Sequence, residues 1–268
     1  MLTVRNRTLL LCLLSCTLGL LTGCPGGKQI RDVQQPKNVQ QVDALLAKIK
    51  TRQHKIQGLE GRAKLRVYRG KKRQTIRLLY QFQRPNMMNI ALGSVFGQPV
   101  AIITSDGKQF AIHYIAQKQF VRGPVSKLPS LIQEFLPVSL PLEKLIPILM
   151  GEVPLLSTKK RSVLPGKQKH VSVLTLTQPT LTQKVWLDLK QARFLKTEYL
   201  RGKEPPLTLT YGTYRGTPPL PKVIRFHVPK TSTRVRWIYV TRESIKQYKL
   251  SHFRQKTPTG VEVRVLTP

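Results

Sequence analysis

From Gly61 to Tyr68 hydrophobic and polar side chains alternate: Ala63, Leu65 and Val67 fall on one side of an extended chain, and Arg62, Lys64 and Arg66 on the other. A period of two is what a strand buried on one face requires. Just upstream the period is different. Val42, Leu45, Leu46 and Ile49 recur at spacings of three and four, which predicts an amphipathic helix from Val39 to about His54 with one buried stripe. Downstream, strand-like runs follow closely at 74–83, 87–92, 99–105, 108–115 and 118–122. Arg69-Gly70-Lys71, Arg84-Pro85-Asn86 and Asp106-Gly107 connect them, the last a two-residue hairpin signal, so the pattern predicts an antiparallel meander.

Residues 127–156 break that rhythm. Leu128, Leu131, Ile132 and Phe135 have helical spacing, and Leu142, Leu145, Ile146 and Leu149 have it again before Gly151. Pro137, Pro141, Pro147 and Pro154 keep these pieces short, because proline removes a helix hydrogen bond and clashes with the preceding turn. Strands resume at 170–177, 182–189, 193–201, 206–214, 222–228 and 233–241, with a candidate at 245–253 and a short last one near 261–266. Lys159 to Lys169, Pro205-Pro206 and the proline-rich 218–221 read as loops. The expected fold is mainly β with helices (α+β): about eleven or more strands in a strongly curved antiparallel sheet under a helical lid. Helices that fill such a concavity incompletely leave an apolar cavity suited to acyl chains.

The amino terminus adds a destination. Arg5 and Arg7 precede an apolar run of 13 residues, Leu9 to Leu21, the layout of a secretory signal. That run is shorter than the roughly 20 residues a membrane-spanning helix needs. It closes on Leu21-Thr22-Gly23-Cys24, which resembles the bacterial lipobox, where the cysteine is acylated and becomes the first residue. An ordinary cleaved signal with an incidental cysteine is the alternative. The expected organisation is a signal peptide at 1–23, a lipidated flexible linker at 24–40, and one folded domain at 41–268. Cys12 and Cys16 lie inside the signal, so Cys24 alone would survive cleavage and no intramolecular disulfide could form. Pro25 is not the aspartate that resembles an inner-membrane retention signal, which favours the outer membrane.

Charge narrows the partners. Forty-six Lys and Arg against 12 Asp and Glu give +34, and residues 1–23 carry only Arg5 and Arg7, which leaves +32. Self-repulsion on that scale calls for counter-charge nearby. The basic residues are scattered, without an aromatic RNA-binding motif, zinc-finger spacing or basic arm, and an exported chain does not meet nucleic acid. Anionic lipid head groups, lipopolysaccharide phosphates and cell-wall polymers are the remaining candidates, beside a general proteome bias toward basic residues.

Three stretches carry a family resemblance: the helix followed by 58–67 (GLEGRAKLRV), the segment 89–98 (NIALGSVFGQ) with Asp106-Gly107, and 140–151 (LPLEKLIPILMG). In order and spacing they resemble the LolA/LolB superfamily of periplasmic lipoprotein carriers and receptors over roughly 42–215. The resemblance implies an unclosed barrel of about eleven strands with a helical lid, binding acyl chains without catalysis or cofactor. It also implies that the loop carrying Val95 and Phe96 touches membrane or cargo; Phe96 folded back on the sheet edge is the alternative. Leu65, Val67, Leu78, Tyr80 and Ile90 are the expected cavity lining, since each buried methylene contributes about 0.8 kcal/mol without polar specificity. A rival reading keeps the fold and fills the cavity, leaving a basic scaffold that holds lipopolysaccharide or wall polymer or joins an envelope complex.

Other chemistry finds little support. His54, His113, His170, His227 and His252 have no ligand spacing, so no metal site is expected. Ser94 is not central in a nucleophile elbow, the Gly-Lys pairs lack the rest of a phosphate loop, and no carboxylate pair suggests acid–base work. Trp186 and Trp237, each with basic neighbours in its strand, read as core or rim residues.

Overall fold

The computed structural model describes residues 39–94, 98–133, 136, 138, 140–245 and 247–267. Helix α1, Val39–His54, uses the expected stripe: Val42, Leu46 and Ile49 are buried and Leu45 packs beside them. Two long strands follow, β1 (Gly58–Arg69) and β2 (Lys72–Gln83), paired residue for residue from Gly58↔Gln83 to Arg69↔Lys72. Their alternation is strict, with Ala63, Leu65, Val67, Ile76, Leu78 and Tyr80 buried on one face.

The meander continues through β3 (Met87–Gly93), β4 (Pro99–Ser105), β5 (Gln109–Tyr114) and β6 (Gln119–Pro124). At the β4–β5 hairpin an Asp106 carboxylate oxygen accepts from the backbone N–H of Lys108 and Gln109 at 2.9 and 2.8 Å, while Gly107 takes φ +88°. A side chain there is strained by the backbone and would also run into Asn86. Helices α2 (Leu128–Ile132) and α3 (Leu142–Leu149) interrupt the strands. A second meander then runs β7 (Arg161–Pro165), β8 (Val171–Thr177), β9 (Thr182–Asp188), β10 (Arg193–Leu200), β11 (Leu207–Arg215), β12 (Leu220–Val228) and β13 (Thr233–Tyr239). Two short strands finish the described chain, β14 (Glu243–Ile245) and β15 (Glu262–Val265).

Pairing of β13 with β1 fuses the two meanders into one sheet, in the order β15-β6-β5-β4-β3-β2-β1-β13-β12-β11-β10-β9-β8-β7, with β14 set against the start of β1. The sheet is open, because β15 and β7 end it without joining. Its fourteen strands would span roughly 60 Å if flat, at about 4.8 Å per strand. Yet residues from β6 to β8 share one apolar cluster with all three helices. The sheet therefore wraps around the helices, which cover one face; on the other face the segment carrying Tyr248, Phe253 and Gln255 lies over β1–β5, bonding Gln81, Asn89 and Thr104, and the outer face of β13–β9 stays open.

Three expectations need correction. Among the described residues there are fifteen strands rather than about eleven. The sheet is not wholly antiparallel, since β15 runs parallel to β6 from Glu262↔Gln119 to Val265↔Arg122. The 245–253 candidate is instead the three-residue β14 and, further on, one 3₁₀ turn at Leu250–Phe253. The cause is common to the strands that were misread or missed. Strand β7, inside the expected 159–169 loop, is an edge strand with no fully buried residue and three-residue β14 is too short for a pattern, so neither carries a one-sided hydrophobic alternation; β15 lies where a last short strand near 261–266 was expected, and only its parallel pairing differs.

Candidate functional site

The lid helix α3 has two unlike ends. Leu142, Leu145, Ile146, Ile148 and Leu149 are buried against the sheet, whereas Glu143 and Lys144 are exposed. Its exit is fastened. The Tyr239 hydroxyl donates to the Leu149 carbonyl, the Gln53 amide to the Gly151 carbonyl at 2.8 Å, and the Tyr211 hydroxyl to the Glu152 carbonyl at 3.0 Å. The Glu152 carboxylate also pairs with Arg84, both side chains being only 16% exposed. Gly151 turns the chain there at φ +89°, and a Cβ would lie 2.7 Å from the Pro221 ring. Burial pushes the Tyr211 and Tyr239 phenols far above their ordinary range, so both remain donors at any physiological pH.

The start of the same helix sits over a hollow. A cavity of about 370 Å³ opens between Leu140, Pro141 and Lys144 of the lid, Pro154 and Leu156 beyond it, and Leu181, Tyr199, Leu207 and Val228 around the ends of β9–β12. Gln183, fully buried on β9, organises its floor. Its amide nitrogen donates to the Pro154 carbonyl at 3.0 Å, the Tyr199 hydroxyl at 3.1 Å and Thr197 at 3.3 Å, while its oxygen accepts from the Leu156 N–H at 2.8 Å. Every hydrogen-bonding site of that side chain except one carbonyl lone pair is thus engaged. Burial raises the Tyr199 phenol to about 12, against the opposing hydrogen bonds of Gln183 and Thr197, so it too stays neutral. The rim is basic: Lys144, Arg201 and Lys230, the last paired with Glu204 at 3.3 Å. An apolar hollow of this size with a few placed polar groups and a cationic lip suits an acyl chain that ends in an anionic head.

The expected lining residues lie deeper. Leu65, Val67, Leu78, Tyr80 and Ile90 all point to the helix-covered face and are each 8% exposed or less. They belong to the packed core, where Tyr80 meets Phe82, Trp237 and Tyr239 ring to ring at 5.0–6.1 Å. Cys24, Val95 and Phe96 lie outside the described residues. The base of the Val95–Phe96 loop is described, closed by the Ser94 N–H donating to the Gln98 carbonyl at 2.8 Å. Beside it, on the outer face, Leu79 and Val240 expose apolar side chains next to Arg62, Lys64 and Arg77, and Val100, two residues past Gln98, is exposed as well. Trp237 is core, and Trp186 is half-buried on the outer face of β9, with the Lys196 ammonium 4.5 Å above its ring.

Sequence reasoning missed Gln183, Tyr199, Leu207 and Val228, which come from strands more than thirty residues beyond the lid. Gln183 leaves one trace. It shares the inward parity of Val185 and Leu187, and a polar residue in a row of core positions must find partners there. Among the described residues no three His, Cys, Asp or Glu side chains come together, and no helix is long and apolar enough to cross a membrane.

Solved structures with the same architecture exist at very low sequence identity. A LolA superfamily protein from Nitrosomonas europaea superposes with TM-score 0.54 at 12% identity, over 80% of this chain and 97% of that one. A putative outer membrane lipoprotein-sorting protein domain from Vibrio parahaemolyticus gives 0.54 at 14% identity, over 78% and 94%. The chain has a LolA/LolB-like fold. A DUF1329 family protein from Desulfovibrio piger shares it, with TM-score 0.57 at 12% identity over 79% and 95%. No family model and no curated protein matches the sequence itself. Within the LolA/LolB-like fold of this chain, the hollow lies where the start of the lid meets the ends of the second meander.

Proposed function

We propose that this protein is a lipid-anchored, periplasm-facing lipoprotein of the bacterial outer membrane that binds acyl chains of a lipid or lipoprotein, without covalent chemistry. One observation carries the reading: the apolar hollow beside the start of α3, with Lys144, Arg201 and Lys230 at its lip. The acyl chain enters there, its anionic head held by the cationic rim. Movement of the lid about its fastened exit then extends the hollow toward Leu78, Tyr80 and Ile90, replacing lid–sheet contacts with chain–sheet contacts of the same apolar kind. Acylated Cys24 holds the domain at the membrane, and 25–40 serves as its leash. The Val95–Phe96 loop, together with exposed Leu79, Val100 and Val240 beside its base, contacts bilayer or cargo.

Titration of a fluorescent long-chain fatty acid into protein lacking residues 1–24 tests this. Saturable binding is expected, weakened about tenfold or more by Val228→Trp, which fills the hollow, since loss of a few buried methylenes is worth at least 1.4 kcal/mol. No uptake by the unaltered protein, or uptake that Val228→Trp leaves unchanged, refutes it.

A further inference from the structure

The uncovered face of the sheet carries a feature that the lid and its hollow do not explain. On this face the strand register sets three arginines directly side by side: Arg66 on β1 opposite Arg236 on β13, and Arg236 opposite Arg225 on β12. The next row on the same face places Tyr68, Arg234 and His227 side by side. Like charges facing each other across strands destabilise a sheet. Two such contacts in succession on one row therefore need an explanation other than folding.

The local surroundings sharpen the point. Among the described residues none of Arg66, Arg225, Arg234 and Arg236 forms a salt bridge. The one acid at this patch, Glu198, is engaged by Lys196 at 2.5 Å. Instead of carboxylates, neutral groups hold the guanidiniums in place. Arg236 and Arg66 flank the Tyr68 hydroxyl, and Arg234 lies 5.8 Å over the Tyr68 ring. Arg225 leans across β11 at Gly212, where a Cβ would stand 2.9 Å from its Nη1, so the glycine leaves the room its guanidinium occupies. The Arg236 Nε is buried and has no partner. Burial opposes ionisation of the Tyr68 phenol, but the hydrogen bonds and charges of Arg236 and Arg66 outweigh it and lower its pKa, a mark of how positive the spot is.

Tyr68, Arg225, Arg234 and Arg236 border a shallow depression of about 580 Å³, lined also by Thr208, Thr210 and Lys196, with Arg66 next to Arg236 in the same row. We propose that it is a binding site for a polyanion carrying two or more phosphate groups. Guanidinium forks match phosphate oxygens in pairs, hydroxyls of Thr208 and Thr210 add neutral donors, and four unpaired arginines exceed the charge of one phosphate. Arg66 and Arg225 stand two strands apart, roughly 10 Å, which sets the spacing over which the phosphates spread. The patch faces away from the lid, so the site stands or falls independently of acyl binding. Its ligand is either a soluble polyphosphate or a lipid head group bearing two phosphates.

The test uses the full chain in non-ionic detergent micelles, titrated calorimetrically with inorganic pyrophosphate and, separately, with micelles doped with cardiolipin. Binding to at least one probe is expected, weakened about tenfold or more in the Arg225→Gln/Arg236→Gln variant, since two guanidinium forks to phosphate are lost. A Lys159→Gln/Lys160→Gln control removes the same charge elsewhere and should leave binding within twofold. Pyrophosphate alone binding assigns a soluble ligand, and cardiolipin alone binding assigns a lipid head. Binding of neither, or equal losses in variant and control, overturns the proposal. So does a thermal midpoint of the arginine variant below that of the unaltered protein without ligand, because the arginines would then be supporting the sheet.

Discussion

The two faces of one sheet are built on opposite rules. On the covered face, positions 63, 65 and 67 of β1 meet Tyr239, Trp237 and Val235 of β13, and every one of these side chains is buried. One residue along, on the same two strands, Lys64, Arg66 and Tyr68 meet Ile238, Arg236 and Arg234. The backbone and register are shared, so the difference lies wholly in what each face must meet. The covered face is selected by burial, worth about 1.5–3 kcal/mol for each large apolar side chain. Along β1, β13 and β12 the open face is free of that demand and can accumulate charge that folding disfavours, whereas over β3–β5 the same face is covered by Phe253 and Gln255.

Mutations should separate the faces by size of effect. Trp237→Ala is expected to cost about 3–5 kcal/mol in urea unfolding, whereas Ile238→Ala, its neighbour on the open face, should cost under about 1 kcal/mol. Equal costs would mean that the open face is packed in solution. Next comes the fastened end of the lid. Tyr211→Phe removes the donor to the Glu152 carbonyl, with an expected loss of about 1–2 kcal/mol and faster uptake of a fluorescent fatty acid. Slower uptake would place the moving part elsewhere.

A pH profile adds a smaller contrast at the β4–β5 hairpin. Burial alone would raise the Asp106 carboxyl, but N–H donors of Gln109 and Lys108 and the nearby Arg254 outweigh it and hold the pKa below 3.8. Because the folded value is depressed, its contribution is present above pH 3.8 and is lost as pH falls through the folded pKa. The stability gap between the unaltered protein and Asp106→Asn should therefore narrow on acidification below pH 3.8, as followed by circular dichroism, and a gap that widens would contradict the assignment. Smallest of all, Arg225→Gln alone should raise stability by a few tenths of a kcal/mol in phosphate-free buffer. A loss would show the Arg66–Arg236–Arg225 row to be structural.

Much of this architecture was legible in the alternation itself. The α1 stripe, the β1–β6 meander and both lid helices follow from periodicity, because one face of each element is buried and a one-residue slip would expose it. Elements lacking a buried face were the ones misread: edge strand β7 and three-residue β14; exposed β15 was read as a strand, but nothing in its pattern told that it pairs parallel to β6. The expected lining, Leu65, Val67, Leu78, Tyr80 and Ile90, is indeed on the covered face, but the hollow itself lies at its end, beside Leu207 and Val228. No local pattern reports which distant strands converge under the lid. The arginine row was equally hidden, since Arg66, Arg225 and Arg236 become neighbours only once the register of three strands is known.

Photolysis of a diazirine-tipped fatty acid bound to the protein, followed by peptide mass spectrometry, tests acyl binding under the lid most directly. The expected adducts fall on Leu140, Leu156, Leu207 or Val228 and on covered-face residues such as Leu78. Adducts confined to Leu79, Val100 and Val240 on the open face, or none at all, would contradict the account.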